Sequence, residues 1–392
     1  MKPARVAVVG GSLGGLTAAC LLRDSGHEVA VYERSPHELE QRGAGIGFLE
    51  ASSRYLVERV GLALDEVSIA TDHIRYLGRD GSVVHDAAHR YRFSLWNTIY
   101  RRLLEHWGSD GYLLGHEMLG FDQGDGGVLV RFEGHEAEAD LLVCADGVGS
   151  SSRLKLQPGA VQEYAGYVAW RGMVAGCDLP GDLAASLGDA ITYHVFANSH
   201  ILVYPIPGLD GSVEPCDRLI NFVWYRNYLE CGDLDDVLTD RNGARRELSL
   251  PPGLAADHHV AEVRATAEAR LPATLAEVVC RTEQPFLQVV YDIEVERMAF
   301  GRVCLVGDAA FSVRPHAAAG TAKAADDGWA LASALDDADD VAAALVAWEP
   351  RQLGVGRSLL ERTRRIGRRS QIENSWLPGD PELIFGLHEP GR

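Results

Sequence analysis

The sequence predicts an α/β fold: a parallel-sheet domain opened by a βαβ unit, an inserted and mainly antiparallel β-sheet, and C-terminal helices. Three observations predict it. Val6–Val9, Leu141–Ala145 and Arg302–Val306 are short apolar runs that stop at Gly10, Asp146-Gly147 and Gly307-Asp308, as strands buried on both faces do. Residues 160–300 carry alternating aromatic and apolar runs between turn signals, the pattern of an antiparallel sheet. Ala317–Leu335 and Val341–Arg369 have the composition of helices.

Taken in order, Val6–Val9 is a strand, Leu13–Leu22 a helix stopped by Gly26, and Glu28–Tyr32 a second strand ending at Glu33. Tyr100–Trp107 reads as a helix. Val128–Phe132 reads as a strand after the turn-forming Gly124-Asp125-Gly126-Gly127. The inserted sheet takes Tyr167–Trp170, Thr192–Phe196, Ile201–Ile206 and Leu219–Tyr225, with turns at Pro207-Gly208 and Asp210-Gly211. The second C-terminal helix ends in Arg362, Arg364, Arg365, Arg368 and Arg369, a cluster expected to be solvated or paired with acidic surface. The tail after Ser375 reads as irregular. Residues 1–72, 90–160 and 282–335 are assigned to the first domain, 73–89 and 161–281 to the inserted sheet, and 336–392 to the C-terminal helices and tail.

Bulk properties narrow the function. The 392 residues carry a formal net charge of −19, which repels phosphate backbones and anionic lipid, so neither nucleic acid nor membrane is an expected partner. Cys20, Cys144, Cys177, Cys216, Cys231, Cys280 and Cys304 are scattered and odd in number, with no C-x-x-C, so neither a disulfide framework nor a metal site is expected. No apolar run reaches the roughly 18 residues of a membrane span, and the N-terminal apolar stretch runs into glycines instead of a cleavage site. A reducing, cytoplasmic setting is the expectation. A homodimer is compatible with the sequence.

Gly10-Gly11-Ser12-Leu13-Gly14-Gly15 lies between a strand and a helix. A tight turn there lets backbone N–H groups and the helix N-terminus approach a pyrophosphate. Ser12 stands where a strict G-x-G-x-x-G has its second glycine; a small side chain still permits the approach, and its hydroxyl could donate to phosphate. Glu33, 18 residues beyond Gly15, can hold both ribose hydroxyls, with Arg34 beside it. This unit alone leaves NAD and FAD open. Two later motifs choose FAD: Cys144–Arg153, which contains Asp146-Gly147, and Arg302–Ala310, which contains Gly307-Asp308 and leads to Pro315 and a helix start near Gly320-Thr321. An Asp ending a buried strand can accept from a ribityl hydroxyl. A helix N-terminus can face the flavin pyrimidine edge, where reduction builds negative charge.

These three stretches, in this order and spacing, resemble the class A flavoprotein aromatic hydroxylases of the para-hydroxybenzoate hydroxylase-like type, over nearly the whole chain. Tyr164–Gly172, Tyr204–Gly208, Arg314–Gly320 and Phe385-Gly386-Leu387 resemble a hydroxypyridine-hydroxylase branch, which shares the Gly-Gly-Ser start. The resemblance implies a Rossmann-like FAD-binding domain, tight non-covalent FAD, a transient NADH or NADPH, and O2 and a small aromatic ring as substrates. The reaction it implies runs through a flavin C4a-hydroperoxide. Glu33 resembles the adenosine-ribose ligand, Asp146 and Gly147 the motif shared by FAD and nicotinamide, and Asp308 the ribityl ligand. Pro315 resembles the residue lining the flavin's reactive face. Departures are Ala318-Ala319-Gly320-Thr321-Ala322 in place of Gly-Gln-Gly-x-Asn, Phe311 in place of a His, and no certain counterpart of an FAD-contacting Arg. Arg101 is the nearest candidate, and Tyr100 is a candidate for its slot.

The ring pocket is expected among Tyr193, Tyr204, Trp224 and Tyr225 of the inserted sheet, with core packing the competing role for each. His316 is expected near the flavin face, accepting a phenolic proton or bonding a ring oxygen. Arg171 either orients an anionic substrate or serves an ion pair. A flavin oxidase, dehydrogenase or halogenase, and a non-catalytic flavin-binding protein, stand as alternatives.

Overall fold

The computed structural model describes residues 2–39 and 44–392. Its parallel sheet runs in the order Ala299–Phe300, Val303–Leu305, Leu141–Cys144, Arg5–Val9, Glu28–Glu33 and Tyr112–Leu114, with only the first pair antiparallel. Val8, Leu141, Val143 and Val303 are completely buried, which explains the unbroken apolar runs of these strands. Helices Leu13–Asp24 and Gly320–Asp337 pack together against the sheet. Their axes approach closely because a Cβ on Gly328 would lie 3.1 Å from Ala18 Cα. The expected helix at Tyr100–Trp107 spans Trp96–Trp107. The expected strand at Val128–Phe132 is the middle one of three, Gly120–Gly124, Gly127–Phe132 and His135–Ala139.

The second sheet has nine strands, in the order Ser249–Leu250, Phe286–Ile293, Gln162–Ala175, Leu219–Asn227, Ser199–Ile206, Ala190–Phe196, Ile69–Leu77, Val83–Leu95 and Gly45–Gly47. Ile69–Leu77 pairs parallel with Ala190–Phe196; the other neighbours are antiparallel. This sheet reaches past the boundaries read from sequence. It takes in Gly45–Gly47, begins its hairpin at Ile69, and includes Phe286–Ile293 beyond position 281.

Alternation divides its side chains between two faces. Trp170, Ile201, Phe222 and Trp224 face helices Asp257–Arg270 and Ala273–Arg281, packing on Val263, Leu275 and Val279. Tyr167, Tyr193, Tyr204 and Tyr225 face the other way, toward the C-terminal segment with Trp376 and Phe385. Helix Val341–Gln371 leads into that segment. The tail is tied down: Arg362 donates to the Gly386 carbonyl at 3.0 Å, Trp376 Nε1 to the Tyr76 hydroxyl at 3.3 Å, and the Phe385 N–H to the Tyr91 hydroxyl at 2.9 Å. The rest of the arginine cluster is paired, as with Arg364 on Asp292, Arg365 on Glu382 and Arg369 on Asp380. The seven cysteines are unbridged. No helix among the described residues is long and apolar enough to cross a membrane.

Candidate functional site

The glycine turn after Arg5–Val9 is dictated by close approach. Gly10 has φ +102°, and a Cβ there would sit 2.3 Å from the Ala145 carbonyl oxygen. A Cβ on Gly15 would sit 1.9 Å from the Gly10 oxygen, and one on Gly14 would lie 2.9 Å from Ala324 Cβ. The strand end, the helix and the next motif therefore converge as only glycines allow. Ser12 occupies the N-cap of Leu13–Asp24 with extended backbone, and its hydroxyl caps nothing. The first-turn amides thus keep their donors free of side-chain caps. They border a cleft of about 290 Å³ lined by Gly10, Ser12, Glu33, Arg34, Asp146 and Gly147.

Glu33 is buried at the cleft wall. One carboxylate oxygen accepts from the Gly11 N–H at 2.9 Å and the other from the Ser35 N–H at 2.8 Å. Each oxygen retains acceptor capacity for a further donor. Asp146 accepts from the Ser150 hydroxyl at 2.6 Å and from the Ser152 hydroxyl and N–H at 2.9 and 3.1 Å, and so braces the start of helix Ser151–Leu156. Tyr100 is fully buried. Its hydroxyl bonds the Leu39 N–H at 3.2 Å and the Tyr112 hydroxyl at 3.0 Å, and Tyr112 donates to the Gly11 carbonyl at 3.0 Å. Tyr100 therefore backs the glycine turn through Tyr112, which the sequence reading missed. Arg101, on the same helix, is partly exposed.

At the third motif the Gly307 N–H donates to Asp327 at 2.8 Å, and Asp327 is paired with buried Lys323 at 2.7 Å. Asp308 stays open to solvent on one side, and its carboxylate makes no hydrogen bond among the described residues. The protein packed around it raises its pKa, against the opposing charges of Lys323 and Arg153. Arg153, another residue missing from the predicted set, is buried and donates to the Val148 carbonyl at 2.6 Å and the Ala309 carbonyl at 3.2 Å. It joins the second motif to the third.

The helix expected from Ala317 begins later. Pro315–Ala317 form one 3-10 turn, Ala318 is left-handed at φ +53°, and the helix runs Gly320–Asp337. Proline starts the turn with its fixed φ, and the left-handed residue redirects the chain before the helix opens. No side chain caps this N-terminus either. Pro315 is exposed, and Ala319 and Ala322 are buried. The Thr321 hydroxyl meets that of Ser52 at 3.2 Å.

Beside Ala318 runs strand Gly45–Gly47. A Cβ on Gly47 would sit 2.5 Å from Ala318 Cβ. Three residues of the large sheet grip Gly45. The Tyr204 hydroxyl donates to its carbonyl at 2.9 Å, Arg171 donates to the same carbonyl, and Asn221 Oδ1 accepts its N–H at 3.2 Å. Arg171 also donates to Gln288 Oε1 at 2.9 Å. The ion-pair reading of Arg171 is not met: among the described residues it holds backbone and an amide and has no carboxylate partner.

His316 is buried under the tyrosine face. Its Nε2 lies 2.7 Å from the Tyr167 hydroxyl, and its ring is 4.7 Å from that of Tyr225. Burial, then His200 and Arg314, hold its pKa well below 6.5. Tyr193 stacks on Tyr76 at 4.9 Å. Trp224 corrects the expectation: it points to the helix-covered face and donates to the Ser199 hydroxyl at 2.9 Å. Tyr225, its neighbour in sequence, takes the opposite face by strand alternation. Elsewhere, Asp236, His258 and His259 bring ligand atoms within 4.8 Å of one another at the surface, an arrangement also common without an ion.

The donor set suits a dinucleotide flavin: a buried carboxylate with spare acceptor capacity, two uncapped helix N-termini, and the Asp308 carboxylate, which no described residue hydrogen-bonds. Residues 8–38 match the model of an NAD(P)-binding Rossmann-like domain, residues 164–292 that of an FAD binding domain-like family, and residues 262–344 that of an FAD binding domain. The chain is 38% identical to the 2,6-dihydroxypyridine 3-monooxygenase of Paenarthrobacter nicotinovorans, over 98% of this chain and 96% of that protein. The solved structure of 2,6-dihydroxypyridine-3-hydroxylase from Arthrobacter nicotinovorans matches with a TM-score of 0.93 at 37% identity, covering 100% of this chain and 98% of that one. The 6-hydroxynicotinate 3-monooxygenase of Bordetella bronchiseptica is 26% identical over 98% of this chain and 95% of its own.

Proposed function

The chain belongs to the FAD-binding monooxygenase family, and from that premise we propose that it hydroxylates a small hydroxypyridine-type ring. The balance is ring–H, O2, NAD(P)H and a proton giving ring–OH, NAD(P)+ and water. The observation that carries the substrate class is the whole-length similarity to a dihydroxypyridine monooxygenase. The tyrosine face supports it by offering an aromatic wall beside Gly45–Gly47 and Ala318.

When bound, FAD takes electrons from the nicotinamide and activates O2. The chain's residues do the rest. Glu33 takes the ribose hydroxyls, with Arg34 at the cleft mouth. The amides from Ser12 to Gly15 take the pyrophosphate. Asp146 and Gly147 border the nucleotide, and Asp308 takes a ribityl hydroxyl. The turn at Ala318-Ala319 and the amides of Gly320, Thr321 and Ala322 would receive the pyrimidine edge, and Pro315 would line the reacting face. Tyr204 and Arg171 fix the Gly45 carbonyl, and Tyr193 and Tyr225 wall the ring. His316, neutral because burial lowers its pKa, bonds a ring oxygen and is a poor resting store for a proton.

The test is to purify the protein, record a flavin spectrum, and follow NAD(P)H oxidation with hydroxypyridines and phenols under 18O2. Hydroxypyridine-dependent oxidation with 18O in the product is the expected result. Oxidation indifferent to every ring, or a product without the label, would refute the reading.

A further inference from the structure

Asp308 lies between two buried cations. On one side Lys323, one turn into helix Gly320–Asp337, pairs with Asp327 at 2.7 Å. The same Asp327 oxygen accepts the Gly307 N–H at 2.8 Å. The ammonium is therefore one carboxylate oxygen away from the residue that precedes Asp308. On the other side, buried Arg153 donates to the carbonyl of Ala309, the residue that follows Asp308, at 3.2 Å.

Long cationic side chains are rarely fully buried, and a buried ion pair recovers only part of its desolvation cost. Tying the turn to the helix needs no lysine, because Asp327 alone receives the Gly307 N–H. Packing needs none either: the Lys323 ammonium lies 5.0 Å from the centre of the Phe311 ring, a surface that suits an apolar side chain. What an apolar residue would not supply is positive charge beside Asp308. That carboxylate hydrogen-bonds no described residue, so no such bond holds its charge. The surrounding protein disfavours the charged form, and Lys323 is the larger of the two cations that oppose it.

We infer that Lys323 is a positioning residue for FAD: with Arg153 it keeps the Asp308 carboxylate ionised, as an acceptor for a ribityl hydroxyl, and so retains the cofactor as pH falls. The inference rests on the flavoprotein reading above. The charged groups about the turn are Lys323 and Asp327 on the helix and Arg153 and Asp146 of the second motif. Glu33, Glu117 and His116 also line the cleft and are common to every variant below.

A complex that needs the carboxylate gains affinity as pH rises to the Asp308 pKa of the flavin-free protein and is level above it. Below that point affinity falls by up to about tenfold per pH unit. FAD dissociation constants are measured on the apoprotein by flavin fluorescence from about pH 5 to about pH 8.5, and the wild type is expected to be level above about pH 6. Lys323→Met is expected to move the start of the level region up by at least about one unit, so that affinity at about pH 6 is roughly tenfold below that at about pH 8. Asp327→Asn keeps an acceptor for Gly307 and leaves the Lys323 charge unopposed, so it is expected to move the start down. A pair that merely tied the turn to the helix would make both variants weaken FAD by a constant factor at every pH, and that result would overturn the inference. Lys323→Met with Asp308→Asn is expected to bind weakly and without the new slope; a slope that survives belongs to another group and also overturns it. If Lys323→Met does not fold, Asp327→Asn decides, and a start that stays or moves up is the refuting result. If the wild type binds no FAD at about pH 8, the flavoprotein reading itself is wrong.

Discussion

Gly47→Ala is expected to damage the junction between the two sheets, and Ala318→Gly to repair it. The new methyl would lie 2.5 Å from Ala318 Cβ, about 1 Å inside ordinary carbon contact. Neither side yields easily. The strand is clamped through Gly45 by Tyr204, Arg171 and Asn221, and Ala318 is fixed behind the Pro315–Ala317 turn. Overpacking of this kind costs about 1–3 kcal/mol. At this chain length one kcal/mol corresponds to roughly 1 °C in Tm, so a drop of about 1–4 °C is expected. Ala318→Gly alone relieves a left-handed alanine worth about 1–2 kcal/mol, offset by roughly 0.5–1 kcal/mol from glycine's freedom when unfolded. The double variant should recover the loss, a coupling of about 1–3 kcal/mol. Thermal unfolding followed by circular dichroism, with FAD affinity measured by fluorescence, reads both effects. Additive behaviour of the two substitutions would refute the contact as the cause.

Asp308→Ala removes a carboxylate that no described residue hydrogen-bonds, so stability of the flavin-free protein should change by under about 0.5 kcal/mol while FAD affinity falls at least tenfold; denaturant unfolding and FAD titration of the apoprotein measure the two. His200 is buried with its pKa held down to about 3, against 6.5 when unfolded. Unfolding therefore takes up a proton between those values, and stability falls as pH drops through that window by up to about 1.4 kcal/mol per unit. His200→Asn should reduce that slope, to which buried His316 contributes in the same direction, seen in denaturant midpoints between pH 7 and 5. Trp224→Phe should lower stability by about 1–2 kcal/mol through the lost Ser199 bond and packing. It should leave the KM for the ring within twofold, and a large KM change would return Trp224 to the pocket.

Much of the cofactor half was legible because its signals are local. Gly10 and Gly15 sit where backbone approach forbids a Cβ, Gly14 where Ala324 Cβ does, Glu33 and Asp146 lie at strand ends on the cleft, and Asp308 follows strand Val303–Leu305. The ring half was less so, because faces are set by pairing between distant strands. Trp224 and Tyr225 are equally aromatic in sequence, and only helices Asp257–Arg270 and Ala273–Arg281 decide which one faces inward. Arg171 meets a backbone carbonyl 126 residues away, which no spacing rule reveals. The start at Gly320 instead of Ala317 depends on a left-handed alanine, a state composition does not announce. Asn221 did leave a trace, a lone amide inside Leu219–Tyr225, and could have been found by asking what a buried strand amide bonds.

The arrangement at Gly45–Gly47 also bears on how such an enzyme changes through descent. The proposed cradle for the nucleotide lies in the loops of one sheet, the proposed ring wall on alternate positions of another, and they adjoin at a glycine strand and Ala318. Leu202, Val223 and Tyr193 share the wall and make no side-chain bond to the cradle. Single substitutions there can explore new rings one position at a time while the inherited redox apparatus stays intact. Drift at Gly45 or Gly47 has no such freedom, since a mutation there disturbs both inheritances together.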